Sequence, residues 1–392
     1  MNSKNSIYIH IPFCQKRCSY CDFNTFAGIN HLIPAYINAL LREIQYYGHH
    51  YHNQMTVGTI FLGGGTPSLL KNNDLRIIVE AIKSNFKLST NAEISLEANP
   101  GTVTLENLDL LRKIGFNRIS LGVQTTQQRH FDLMGRIHNF SDAINAFFWA
   151  RKAGFENINC DLIYGLPDQT LFDWQETIEK LLELKPQHFS LYALGIEAGT
   201  PLYSWVNQGL VSNPDDDLAA EMYEFAEGEL EKKGYSSYEI SNFRLLDDMN
   251  DWKCRHNLQY WRNEPYLGLG AGAHGYVDGY RTENVTHVSQ YISLLSKNPK
   301  ETENFSPAVK LATQIDKFTE MQETMMVGLR LTEEGISIER FFKRFQIKPQ
   351  IIFSKELKEL EGLGLIEIKE KTIRLSKKGV LLGNLVFQKF VN

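Results

Sequence analysis

The sequence is poor in cysteine, with five in 392 residues. A small, odd number excludes the disulfide framework that staples small secreted domains, and it suits a reducing compartment. Long apolar runs are missing too. None reaches the ~20 residues that a membrane-spanning helix needs, so no transmembrane segment is expected. No signal-peptide pattern stands near the start, where the chain goes almost directly into a strand-like run. An excess of positive charge is also absent. The formal net charge is −5, which argues against a strongly basic nucleic-acid binder. These absences leave a soluble cytoplasmic protein, large enough for one big domain and a smaller one, for which peripheral contact with a membrane stays open.

What cysteine there is has been concentrated. Cys14, Cys18 and Cys21 fall within eight residues, spaced C-x3-C-x2-C. A short loop with that spacing can turn three sulfurs inward, and thiolates at that density favour zinc or an iron–sulfur cluster. Three ligands leave a four-cysteine site one short. A cluster here would hold one iron without a cysteine, a corner open to a ligand. A structural zinc ion would need a fourth ligand. His10 is near, but the second C-x2-C pair usual for such sites is absent. The third reading is three small buried side chains.

Along the chain, short apolar or β-branched runs alternate with longer segments of helical period. The strand-like runs are 6–11, 59–62, 93–98, 118–123, 157–163 and 188–194. The helical ones are 33–47, 75–86, 105–114, 141–153, 173–184 and 217–233. Gly115, Gly154 and Gly234 each follow a helix, as capping glycines do. Six such units in series predict parallel strands with right-handed crossovers. Periodicity does not choose between an open sheet and a barrel. In either, ligands gather beyond the C-terminal strand ends, and there the sequence turns polar or glycine-rich. The second strand runs into Gly63-Gly64-Gly65-Thr66-Pro67, the third into Glu97-Ala98-Asn99-Pro100, and the fourth reaches Gln124. The fifth contains Asp161, and the sixth ends near Ala193. The triple glycine is neither a Walker A loop nor a G-x-G-x-x-G fingerprint. It allows close backbone approach to a ligand, or simply a tight turn.

A C-x3-C-x-aromatic-C loop after a strand resembles the radical S-adenosylmethionine superfamily. The fuller phrase from Ile9-His10-Ile11-Pro12-Phe13-Cys14 to Cys18-Ser19-Tyr20-Cys21-Asp22-Phe23 is similar to its HemN/HemW branch. That branch contains oxygen-independent coproporphyrinogen III dehydrogenases and HemW-type haem chaperones. The resemblance implies an α/β fold: a partial (β/α)6 barrel, like an incomplete TIM barrel, with a C-terminal α+β winged-helix-like domain. It implies a [4Fe–4S] cluster on Cys14, Cys18 and Cys21, its fourth iron chelated by the methionine end of S-adenosylmethionine. Tyr8, Gly64, Gly65, Thr66, Glu97, Gln124, Arg136 and Asp161 match the family's cofactor-contacting positions, with Ala193 a weaker match. Arg136 lies in Gly135-Arg136-Ile137-His138, and an arginine there can pair with a carboxylate.

After the sixth unit the chain becomes dense in aromatics and glycine. His256-Asn257-x-x-Tyr260-Trp261 resembles the HNxxYW segment of the HemW-type proteins, which is linked to haem binding. A neutral imidazole is a common haem ligand, and aromatic rings can cover a porphyrin. The competing reading is a packed, barrel-closing extension with His256 hydrogen-bonded inside it. Cys254 is an alternative soft ligand or a small buried residue. Residues 298–316 read as a polar linker. Beyond it, helices near 317–331, 338–345 and 353–362 and a hairpin at 365–375 predict a winged-helix module. Its Lys and Arg are interleaved with Glu, so a solvated or protein-contacting face is expected rather than a nucleic-acid surface. The expected domains are 1–245 for the core, 246–297 for the extension, 298–316 for the linker and 317–392 for the C-terminal domain.

Two departures separate the chain from the dehydrogenases. Those carry a fourth cysteine two positions after the third, where Phe23 stands here. They also have a long N-terminal arm, for which Cys14 leaves no room. Both point to the chaperone side of the branch. The expected cofactors are therefore the cluster, S-adenosylmethionine and haem. The expected partners are haem and haem-acceptor proteins, such as membrane-associated respiratory enzymes. The alternative is radical oxidative decarboxylation of coproporphyrinogen III.

Overall fold

The computed structural model describes residues 5–51, 55–296 and 304–391. The chain divides into two units, Met1–Glu229 with Pro265–Thr313, and Leu230–Glu264 with Gln314–Asn392.

In the first unit six strands lie side by side in sequence order: β1 (Asn5–Ile11), β2 (Thr56–Gly64), β3 (Lys87–Ala98), β4 (Arg118–Gln124), β5 (Asn157–Tyr164) and β6 (His188–Ala193). Every neighbouring pair is parallel. Helices fill the crossovers: α1 (Ile33–His50), α2 (Asn72–Asn85), α3 (Leu105–Ile114), α4 (Gln128–Met134), α5 (Phe140–Lys152) and α6 (Leu171–Leu184). Helices on the sheet leave the strands little water, so the strands are rich in aliphatic side chains. Ile7, Ile9, Ile60, Leu62, Leu96, Ile119, Leu121, Ile158 and Leu162 are all buried. Local signals set the helix ends. Asn139 with Asp142 and Thr170 with Asp173 form capping boxes that start α5 and α6. Gly115 ends α3 in a left-handed conformation. Six parallel units in sequence order are the partial barrel expected from the sequence.

β7 (Tyr266–Leu269) adds a parallel strand at the outer edge of β1. β8 (His274–Val277) and β9 (Tyr280–Asn284) follow it antiparallel, and β10 (Val309–Gln314) lies beside β9. A buried carboxylate ties this extension to α1. Glu43 accepts hydrogen bonds from Gly270 N (2.8 Å), Asn284 Nδ2 (2.9 Å) and Tyr291 Oη (2.6 Å).

The second unit packs helices Lys317–Gly328, Ile338–Phe345 and Ser354–Gly362 against a three-stranded sheet. The sheet is antiparallel, formed by Ile336–Ser337, Thr372–Leu375 and Ile366–Ile368. Its core holds Met325, Leu329, Phe341, Phe345, Phe353, Leu360 and Ile373. Three helices and a hairpin are the winged-helix pattern expected.

The divisions of the chain differ from the sequence expectation. Residues 265–296 belong to the barrel unit, but 230–264, which include the end of the expected core, fold with the C-terminal unit. Direct bonds hold them there: Arg262 pairs with Glu334 (2.7 Å), and Asn263 Nδ2 donates to Thr324 Oγ1 (3.1 Å). The first part of the expected linker, 298–303, lies outside the described residues. Its later part is not a linker, because Val309–Gln314 forms β10.

Candidate functional site

The cysteine loop leaves β1 through Phe13–Cys14, which pairs in parallel with Phe26–Ala27. Phe26 N donates to Pro12 O (2.8 Å), so the loop is closed at its base. Midway it is fixed to the end of α4: Ser19 N donates to Met134 O (3.0 Å) and Ser19 Oγ to Leu133 O (2.8 Å). Those bonds bring Gly135 and Arg136 beside the cysteines. Cys14, Cys18 and Cys21 carry no disulfide, and each sulfur has a polar neighbour. Thr66 Oγ1 lies 3.6 Å from Cys14 Sγ, Arg136 Nη1 donates to Cys18 Sγ at 3.4 Å, and Thr25 Oγ1 lies 3.8 Å from Cys21 Sγ. Burial pushes the Cys14 thiol up, and the Thr66 hydroxyl opposes it. His10 is not offered as a fourth ligand. Its Nε2 donates to Asn24 O (2.9 Å), which leaves Nδ1 to accept from Tyr8 Oη (2.9 Å).

Beneath the loop lies a cavity of ≈ 450 Å³, within the range of small-molecule sites. Its lining includes Gly64, Gly65, Thr66, Glu97, Gln124, Arg136, Asp161 and Ala193 together with the three cysteines. Thus the cavity brings together residues from the cysteine loop, the ends of β2 to β6 and the segment after α4. The triple glycine is required by protein neighbours. A Cβ on Gly64, whose φ is +106°, would stand 2.4 Å from the His10 ring, and one on Gly65 would meet Ile11 O and Phe13 O at 2.7 Å. Gln124 also has a left-handed backbone (φ 71°), a sparsely populated state for such a residue. It follows a register shift between β4 and β5.

The two acids of the cavity floor are displaced from ordinary behaviour. Burial, reinforced by the charge of Asp161, pushes Glu97 up to about 7, while Gly64 N donates to it (3.0 Å). Asp161 is raised by burial, against the pull of its donors Ser120 Oγ (2.6 Å) and Asn159 Nδ2 (2.8 Å). Arg136 Nη2 donates to Gly122 O (2.7 Å), and its buried Nε has no partner.

Tyr8 is not among the lining residues. Its hydroxyl is engaged with His10, and its ring stacks on Phe61 with centroids 6.4 Å apart. His256, Tyr260 and Trp261 do not line this cavity either. They lie on the helix Arg255–Trp261 of the second unit. His256 is 1% exposed, and Tyr260 Oη lies 2.8 Å from its Nε2. The Arg330 guanidinium stands 4.4 Å from the centre of the Trp261 ring. Cys254 is buried, with its backbone N–H donating to Tyr238 Oη (3.1 Å).

Sequence reading missed several lining residues, among them Lys16, Ser120, Tyr192 and Glu197. One signal was available for Ser120 and its neighbour Asn159. Polar residues inside otherwise apolar parallel strands need a buried partner.

The donor set fits the two groups that the resemblance implies. Three unlinked thiols, one touched by a guanidinium, suit an iron–sulfur cluster, whose potential responds to hydrogen bonds at sulfur. Among the described residues no three His, Cys, Asp or Glu side chains are grouped as a single-ion site. A cubane takes each cysteine on a different iron and needs no such grouping. For a nucleoside bearing an amino acid, the cavity offers a cation with an unsatisfied N–H and two carboxylates. A bound cluster and S-adenosylmethionine would supply one-electron radical chemistry.

The chain matches the family description "Radical SAM superfamily" over residues 8–181 and "HemN C-terminal domain" over 315–382. It is 38% identical to the Bacillus subtilis protein named heme chaperone HemW, covering 98% of this chain and 99% of that one. With the Lactococcus lactis protein of the same name the identity is 36%, over 100% and 98% of the two chains. The fold superposes on coproporphyrinogen III oxidase (HemN) from Escherichia coli with a TM-score of 0.83 at 23% identity, covering 100% of this chain and 91% of that one. Given full-length identity at this level and a cysteine loop over a barrel-mouth cavity, the chain belongs to the radical S-adenosylmethionine superfamily, in its HemN/HemW branch.

Proposed function

We propose that this protein is a haem chaperone. It holds a [4Fe–4S] cluster on Cys14, Cys18 and Cys21 and S-adenosylmethionine in the barrel-mouth cavity, binds haem, and passes haem to acceptor proteins. The observation that carries the reading is full-length likeness to proteins named heme chaperone HemW, at 36–38% identity. Phe23, 63% exposed on the cysteine loop, supports it, because the dehydrogenases have a cysteine there. Likeness to the oxidase at 23% identity speaks for the fold alone. In the cavity, Glu97, Gln124, Arg136 and Asp161 bind and orient the cofactor, Arg136 at its carboxylate and the acids at its hydroxyl or ammonium groups. Tyr8 acts from outside the lining by holding His10. Haem binds through His256, with Tyr260 and Trp261 against the porphyrin. Among the described residues no helix is long and apolar enough to cross a membrane, so delivery to a membrane enzyme would use a peripheral contact.

The test is anaerobic reconstitution, haem titration and a product assay on coproporphyrinogen III. Haem binding without protoporphyrinogen formation is expected. Conversion of coproporphyrinogen III to protoporphyrinogen IX would replace this reading with the dehydrogenase.

A further inference from the structure

From the cavity floor downward, the barrel strands carry a layer of polar side chains that joins the floor residues Ser120 and Asp161 to groups outside the lining. Ser120 comes from β4, Asn159 and Asp161 from β5, and His188 and Ser190 from β6. Ser120, Asn159, His188 and Ser190 are each buried to 96% or more, with His188 at 0% exposure. A polar layer inside a parallel barrel costs desolvation unless its hydrogen bonds are satisfied and directed.

The directions follow from the bonding atoms. With Asp161 ionised its Oδ1 only accepts, and it lies 2.8 Å from Asn159 Nδ2, so the amide nitrogen faces the acid. Asn159 Oδ1 therefore faces His188, whose Nδ1 lies 2.6 Å away. An amide oxygen only accepts, so His188 Nδ1 carries the hydrogen. Burial holds His188 well below the usual histidine range, with the nearby Arg118 charge acting in the same sense, which keeps the ring neutral. Asn159 Nδ2 donates to Ser120 Oγ at 2.6 Å and lies 3.0 Å from Ser190 Oγ, which is also 3.2 Å from Asn159 Oδ1, and Ser120 Oγ donates to Asp161 Oδ2 at 2.6 Å. Asp161 lines the cavity while Ser120, Asn159 and Ser190 hydrogen-bond its carboxylate from the strands.

We infer that His188 is a positioning residue for cofactor binding: through Nδ1–H it fixes the Asn159 amide, and that amide aims the Asp161 carboxylate at a hydroxyl or ammonium group of the nucleoside-bearing ligand. The inference rests on the cofactor reading given above. Without the His188 donor the amide oxygen keeps the longer Ser190 contact (3.2 Å) but loses its short one (2.6 Å), so the amide can invert, presenting its oxygen to a carboxylate, and Asp161 must then turn away or hold a proton.

The experiment uses the full chain with its cluster reconstituted, and reads S-adenosylmethionine affinity by calorimetry. His188→Leu should weaken binding about tenfold, the equivalent of about 1.4 kcal/mol. His188→Asn places an amide N–H where Nδ1–H stood, and should bind within about threefold of wild type. His188→Gln extends its amide towards the Nε2 position and should bind as poorly as His188→Leu. Nitrogen-15 spectra of the histidine rings in the cluster-free protein give a second reading. They should show one ring as the neutral Nδ1–H tautomer, unchanged between pH 5 and 8 and lost in His188→Asn. Should His188→Leu not fold, equal affinities of the Asn and Gln variants overturn the inference, as does an Nε2–H tautomer. Asp161→Asn separates the two failures. If it binds like wild type, the cofactor role of Asp161 is wrong. If it binds weakly while His188→Leu binds normally, only the positioning role is wrong.

Discussion

The cysteine-loop cavity and the His256 segment hold similar kinds of groups, but differ in whether the group meant for the ligand is already bonded. Around the cavity, polar groups keep capacity in hand. Arg136 has a buried N–H with no partner, and Glu97 is pushed up to about 7 beside a second acid. Around His256 the imidazole itself is engaged, and the spare donors are Trp261 Nε1 and Arg330 Nε, both buried without a partner. Tyr260 stands at the imidazole Nε2, and Arg330 covers Trp261. A cavity with unspent hydrogen bonds is prepared for a ligand, whereas an imidazole nitrogen already bonded to Tyr260 must release that bond before it can take one. The difference predicts that cluster and cofactor binding depend on groups already in place, and that haem binding at His256 includes a rearrangement.

The largest expected effect is on the cluster. After anaerobic reconstitution, Cys18→Ser should lose most of its iron and sulfide, whereas Cys160→Ser and Cys254→Ser should retain both. Cys160 is buried in β5, and Cys254 lies on the other unit. Full occupancy in Cys18→Ser would remove the cavity from the comparison. Next come the cofactor contacts. Glu97→Ala and Arg136→Ala should each weaken S-adenosylmethionine binding by roughly 10- to 100-fold, as loss of a charge-assisted hydrogen bond does. Unchanged calorimetric affinity in both would mean that the cavity's spare capacity has another use.

Much of this cavity was legible in the sequence, for a physical reason. Strands of a parallel barrel are mostly apolar, so Glu97 and Gln124 stood out at strand ends and Asp161 within its strand. The cysteine spacing is local and survives without structure. Tyr8 was expected among the contacts from the family match, yet its hydroxyl lies against His10 and it is not among the lining residues, because a matched position does not report its partner. Ser120 and Asn159 were missed as members of one strand each; only the register of β4 against β5 joins them. The division of the chain was the least legible. Residues 230–264 belong with a unit whose remainder begins some fifty residues later, and no local periodicity reports such a return.

A third prediction concerns pH. An acid whose folded pKa is raised binds its proton more tightly in the folded chain than in the unfolded one. Glu97 is therefore least costly below its unfolded value, about 4.3. Stability falls as pH rises from there through about 7, where the folded carboxyl finally ionises. In the cluster-free protein, Glu97→Gln should flatten this slope, gaining about 1–3 kcal/mol relative to wild type between pH 4.5 and 7.5. Parallel urea midpoints across that window for both proteins would show that Glu97 is not strained by burial.

The smallest effect would sharpen the comparison most. His256→Ala should weaken haem binding and change the absorption spectrum without touching the cluster, but a collapsed helix could do the same. Tyr260→Phe is more telling because it keeps the ring and removes only the hydroxyl 2.8 Å from His256 Nε2. If iron takes that nitrogen, the Tyr260 hydrogen bond must break first. A neutral hydrogen bond contributes about 1 kcal/mol, so Tyr260→Phe should tighten haem binding roughly fivefold while leaving the spectrum as in wild type. Weaker binding would mean that the hydroxyl itself serves the bound haem. No change in Tyr260→Phe, together with wild-type behaviour of His256→Ala, would reduce the segment to packing. Haem, if bound, would then have to be sought at another surface of the molecule.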